Sequence, residues 1–274
     1  MVQGRSLDAG GLRCQVLIDG WRAVSPRFVF RGYDDAVHGG FVRPHLDREG
    51  KLPGRFAALL IETPDERLVL VDAGVGRFAG DLDAGHLLDE LAAIEVRPWD
   101  IARVVVTHAH ADHVGGLVGP RGEPVFAEAL HTVHAREAGF WTSPVAEALP
   151  DDAAVPARAA LSALLDAGLL RTVEGSAAVD AGIRVIDAPG HTPGHLAVVV
   201  NDALLWAGDA IVSPLNVPHP EWTSAADMEP QENEATRRLL LAKAADERLV
   251  LAGSHLPVAG TVRRHGEGFV LTEV

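Results

Sequence analysis

Five short apolar runs each break off at a residue that can ligate a metal ion or support a ligand. LVLV at 68–71 ends at Asp72, RVVVT at 103–107 at His108, IRVIDAPG at 183–190 at His191, LLWAG at 204–208 at Asp209, and LVLAGS at 249–254 at His255. Runs this short and continuously apolar fit strands buried on both faces, so the sheets they form must be covered by helices or by each other. Helical stripes are available as cover. Residues 85–95 place Leu87, Leu88, Leu91 and Ala92 on one face, and residues 233–245 align Ala235, Leu239 and Ala242. Residues 156–170 carry Leu161, Leu164 and Leu165, with Pro156 expected in the first turn. Glu232 and Glu234 at the start of the last helix and Lys243 near its end suit the helix dipole. An α/β chain is expected, and the absence of repeats, low-complexity tracts and long linkers predicts one domain over residues 1–274.

Charge and cysteine content narrow the function. Twenty-four Lys and Arg stand against 38 Asp and Glu, a net charge of −14. Such a surface repels phosphate backbones and anionic lipid heads, so neither nucleic acid nor membrane is an expected partner. No apolar run reaches the roughly 18 residues that span a bilayer, and MVQGRSLDAGG lacks the basic and apolar regions of a secretory signal. The single cysteine, Cys14, permits no internal disulfide, and a cytoplasmic location is the expectation. Thirteen histidines in so acidic a chain direct attention to metal binding.

That attention falls on THAHADHVGG at 107–116. His108 and His110, two apart in an extended segment, can point to one side while Asp112 and His113 point elsewhere, so one segment can serve two ions. Neutral imidazoles suit a borderline ion such as Zn²⁺, and a carboxylate adds charge that holds a second ion nearby. Gly115 and Gly116 allow a tight turn and close backbone approach. A dinuclear site needs about three further ligands, and three other strand ends offer His191, Asp209 and His255.

Three irregular stretches, 25–55, 139–156 and 212–232, are rich in Pro, Gly or aromatic residues. Loops of that length commonly wall a site. Phe28, Phe140, Trp141, His219 and Trp222 fall in them and are the candidate lining of a pocket for an acyl chain or aromatic leaving group, with core packing as the alternative use of each aromatic ring.

With these motifs the sequence, from about residue 12 onward, resembles the metallo-β-lactamase superfamily. The resemblance implies a four-layer αββα sandwich with one or two metal ions along the seam between its sheets. It implies that His108, His110 and His191 hold a first ion, that Asp112, His113 and His255 hold a second, and that Asp209 bridges both. Asp72 matches an early Asp that orients a ligand histidine, and His195 in GHTPGH matches a structural histidine. Two divalent ions are the expected cofactors, zinc first, with manganese, cobalt or iron as substitutes.

Departures sort the branches. Asp209 stands where Cys-type β-lactamases carry Cys, and with only a short stretch after His255 the helical glutathione-binding domain of glyoxalase II enzymes is not expected. LVLVDAGVG, EAGFWTS, GHTPGH, GSHLPVAG and GFVLTEV are most similar to the branch of methyl parathion hydrolase and related lactonases and arylesterases. N-acyl-homoserine lactonases add a Tyr three residues after the bridging Asp, where this chain has Val212. The resemblance also implies a homodimer with residues 25–45 as its contact. The expected activity is hydrolysis of neutral esters or lactones by a hydroxide bridging the two metals, with Asp112 or Asp209 carrying the proton, and His219 as a weaker candidate. Phosphotriester hydrolysis, a mononuclear-iron sulfur dioxygenase and a non-enzymatic metal-stabilised binding module are the competing readings.

Overall fold

The computed structural model describes residues 5–274. Eight strands form the first sheet: β1 (Ser6–Ala9), β2 (Leu12–Val24), β3 (Leu52–Glu62), β4 (Leu68–Val71), β5 (Asp83–Ala84), β6 (Ile101–Val105), β7 (Leu130–His134) and β8 (Leu170–Val173). Their order is β1-β2-β3-β4-β6-β7-β8, with β5 paired to β2; β4, β6, β7 and β8 run parallel and the rest antiparallel. The second sheet holds β9 (Ala177–Asp180), β10 (Ile183–Asp187), β11 (Leu196–Val200), β12 (Leu204–Trp206), β13 (Val250–Ala252), β14 (Gly260–His265) and β15 (Gly268–Glu273), side by side in reverse chain order, with β12 and β13 parallel.

Alternation along the strands builds four layers. Val69 and Val71 of β4 enter the core between the sheets, whereas Leu70 faces the helices outside; on β11, Leu196, Val198 and Val200 face inward and Ala197 and Val199 outward. The outer face of the first sheet is covered by α3 (Leu87–Ala93), α5 (Ala135–Trp141) and α7 (Asp151–Asp166), and that of the second by α8 (Pro230–Glu247). The architecture is the expected αββα sandwich. A buried carboxylate also ties the sheets: Asp180 of β9 accepts bonds from Arg67, before β4, and from Arg103 of β6.

The irregular stretches contain more structure than expected. Residues 25–55 hold α1 (Pro26–Val29), α2 (Asp35–Val42) and the start of β3, and residues 139–156 hold α6 (Pro144–Glu147) between the end of α5 and the start of α7. Pro156 lies inside α7 rather than in its first turn. The amide it lacks would have bonded the carbonyl of Asp152, an exposed residue near the helix start where solvent is at hand. Among the described residues no helix is long and apolar enough to cross a membrane.

Candidate metal centre

The parallel strands β4 and β6 finish together, and the turns that follow them meet backbone to backbone. Ala73 donates its N–H to the carbonyl of His113, and Gly116 donates to Gly74. A Cβ on Gly116 would lie 1.9 Å from the Ala73 carbonyl oxygen, and one on Gly115 would lie 2.1 Å from that of Val75. Only glycine fits there. Asp72 itself adopts a φ of 63°, a left-handed conformation that an Asp tolerates better than a branched residue. From that turn its carboxylate accepts from the Thr107 N–H, the Thr107 hydroxyl and His113 Nδ1.

Across the seam, His191 follows β10, Asp209 follows β12 and His255 follows β13. With the β6 turn and α4 (Ala111–Val114) they form two clusters, His108–His110–His191 and Asp112–His113–Asp209–His255, in each of which the ligand atoms lie within 4.8 Å of one another. In the first, His110 Nδ1 is 3.0 Å from both His108 Nε2 and His191 Nε2. In the second, His255 Nε2 lies 3.0 Å from Asp209 Oδ2 and 3.4 Å from Asp112 Oδ2, and His113 Nε2 lies 3.3 Å from Asp209 Oδ1. Asp209 Oδ2 is also 3.4 Å from His191 Nε2, so this carboxylate stands between the clusters.

The outer ring nitrogens are engaged. His113 Nδ1 meets Asp72, His191 Nδ1 meets Asp227 at 2.8 Å, and His255 Nδ1 donates to the Arg55 carbonyl. Those bonds favour the tautomers that aim the Nε2 lone pairs inward. Burial and then neighbouring imidazoles push His108 well below its ordinary value and His110 down to about 3, so both are neutral at pH 7. Burial opposes charge on His113, yet Asp209, Asp72 and Asp112 hold it well above its usual range; burial likewise opposes charge on His255, but Asp209 and Asp112 raise it above its usual value. Asp209 resists ionisation through burial, but His255 and His113 carry it well below the usual carboxylate range. His113 Nε2 and Asp209 Oδ1 are buried without a hydrogen-bond partner. Converging ring nitrogens, two unpartnered buried polar atoms and a mixed imidazole–carboxylate set are what a divalent cation would satisfy, taking the place of the proton on His113.

His110, Asp112, His191, Asp209 and His255 form the floor of a cavity of about 610 Å³. Its walls are mainly apolar, with Trp21, Phe28, Leu52, Leu149, Leu215 and Met228 among them. Of the five aromatic and histidine candidates for the lining, only Phe28 reaches it. Trp141 is wholly buried, with its indole on Glu137, and Phe140 packs on the same core. Trp222 stacks on His219 at 4.1 Å and meets Phe30 and Phe41 edge-on, which fastens the segment after Asp209 to α1 and α2. His195 accepts the Asp209 N–H at Nε2 and supports the turn from behind. No local motif marks Asp227 and Arg55, whose hydrogen bonds to His191 and His255 span 36 and 200 positions.

A two-sheet sandwich with His/Asp clusters at one end of its seam is the architecture of a metal-dependent hydrolase. The sequence pattern of the metallo-beta-lactamase superfamily matches residues 57–255, and the chain belongs to that superfamily. A hydroxyacylglutathione hydrolase from Rhodopseudomonas palustris (strain HaA2) is 31% identical over 135 residues, which cover 48% of this chain and 42% of that protein; the match thus spans less than half of the relative. Two solved structures share the fold, each with a TM-score of 0.89 and 24% identity. One is AidC, a dizinc quorum-quenching lactonase, covering 99% of this chain and 97% of its own. The other is the hydrolase AbOPH of the beta lactamase superfamily, covering 100% and 98%.

Proposed function

We propose that the chain is a dinuclear, metal-dependent hydrolase of neutral esters or lactones, built as one domain and most similar to the methyl parathion hydrolase and lactonase branch. The observation that carries this reading is that two ligand clusters meet at Asp209 on the floor of an apolar cavity. His108, His110 and His191 would hold one ion, Asp112, His113 and His255 the other, and Asp209 both. Zinc suits the imidazole-rich donor set. Two such ions would lower the pKa of a water from 15.7 toward about 7 and take up charge developing on the substrate's carbonyl oxygen.

The chain's own groups supply the rest. Asp72 and Asp227 keep the ring orientations of His113 and His191. Asp112 is the most exposed carboxylate of the site, with 21% of its side chain accessible, and it reaches the cavity; it is placed to carry a proton to the leaving group. The apolar walls exclude water and favour uncharged substrates. Val212 lines the cavity where a lactonase of the homoserine type would present Tyr, which favours phosphotriester hydrolysis as a second reading.

The test is elemental analysis of protein purified without chelator, followed by rates on lactones, aryl esters, thioesters and phosphotriesters. About two zinc per chain with metal-dependent ester or lactone turnover is the expected result. A single iron without hydrolysis would overturn the reading, and phosphotriester turnover well above ester turnover would favour the second.

A further inference from the structure

Glu137 is wholly buried on α5, and its carboxylate enters no ion pair among the described residues. Its bonds go instead to three N–H donors. Oε1 accepts from the Ala109 amide and the Trp141 indole, each at 2.8 Å, and Oε2 accepts from the Gly194 amide at 2.9 Å. Ala109 lies between His108 and His110, while Gly194 lies in the loop that begins with His191. One carboxylate therefore joins the two backbone segments that carry the first cluster. The fit is close: a Cβ on Gly194 would come within 2.3 Å of the Glu137 nitrogen. Trp141, held by the same oxygen, sets its ring edge-on to His110 with centroids 5.7 Å apart.

We infer that Glu137 is a positioning residue that sets the spacing between His108–His110 and His191; the inference rests on the metal-site reading above. Three converging donors need acceptors on both oxygens. Neutral Gln has the same shape but one acceptor, so its NH₂ would face either the Gly194 amide or the Ala109 and Trp141 pair, leaving buried donors opposed. The two segments would then separate, and three nitrogens that must converge on one ion would lose their register. The second cluster has no bond to Glu137 and keeps its own support from Asp72.

The test measures zinc binding in wild-type protein and Glu137→Gln by chelator competition, with the absorption spectrum of cobalt-substituted protein as a second readout. Selective weakening of one of the two zinc sites by about 10- to 100-fold, with the other within about threefold and a changed cobalt spectrum, is the expected result. Should the Gln variant fail to fold, Glu137→Asp serves: one methylene shorter, it cannot keep both loop bonds, and the same selective loss is expected. Equal loss at both sites alongside a lower melting temperature would mean a merely structural role and overturn the inference. Wild-type zinc affinity retained in both sites of the variant would also overturn it while leaving the hydrolase reading intact. Wild-type protein that holds no zinc would sink both.

Discussion

Asp72 Oδ2 and His113 Nδ1 lie 2.8 Å apart although 41 positions separate them. The same carboxylate takes two bonds from Thr107, so it fixes both the start of the 107–116 segment and one imidazole within it. Asp72→Asn keeps a residue that tolerates the left-handed backbone but leaves one acceptor for three donors. Zinc affinity at the Asp112–His113–Asp209–His255 cluster should fall by about 10- to 100-fold, measured by chelator competition. An unchanged affinity would show that His113 needs no such support.

Asp180 is the shared partner of Arg67 and Arg103, with only 2% of its side chain accessible. Its loss leaves Arg67 with its other partner, Asp65, and Arg103 without a carboxylate, but the two guanidinium groups are 39% and 29% exposed and can recover water. Asp180→Ala should therefore cost about 1–2 kcal/mol, less than a fully buried pair. Urea unfolding would read it, and zinc content should not change.

Burial pushes the His131 imidazole down to about 4. The unfolded chain takes up that proton near pH 6.5, whereas the folded chain resists it. This contribution to stability is whole above about 6.5 and is lost as the pH falls toward about 4, by up to about 3 kcal/mol. In His131→Leu, whose neighbours across the strands are Val104 and Leu170, that part of the acid sensitivity should vanish. Parallel pH dependences of unfolding free energy in the two proteins would refute the assignment.

Cys14 sits on β2, 1% exposed in the core between the sheets, and burial raises its thiol to about 12. Native protein should react with Ellman's reagent at least about a hundredfold more slowly than protein in denaturant. Fast reaction of the native state would mean that β1 and β2 separate readily.

Strand ends were legible because a buried strand needs a continuous apolar run, and a polar residue that stops it is visible in one dimension. The segment at 107–116 was legible for the same reason: its spacing is local. The helix expected from 156 began instead at Asp151, since Pro156 marks a helix start only by statistics and an early interior position also tolerates it. Phe140, Trp141, His219 and Trp222 read the same as Phe28 in one dimension, because all are aromatic rings in irregular stretches. Composition says that such rings find cover, and only the packing decides which cover. Glu137 lies in plain view in EAGFWTS, yet the two partners that join it to the site are 28 and 57 residues away and are backbone amides, which leave no trace in residue identity.

The contact of Gly115 and Gly116 with the carbonyls of Val75 and Ala73 divides the molecule for anyone wishing to alter its selectivity. Randomising those glycines would yield almost only inactive progeny, whereas diversity placed at Trp21, Phe28, Leu52, Leu149 and Met228 alters the walls of the chamber while sparing its foundation. A library drawn on that division should keep a high fraction of folded, metal-competent members from which new preferences can be selected.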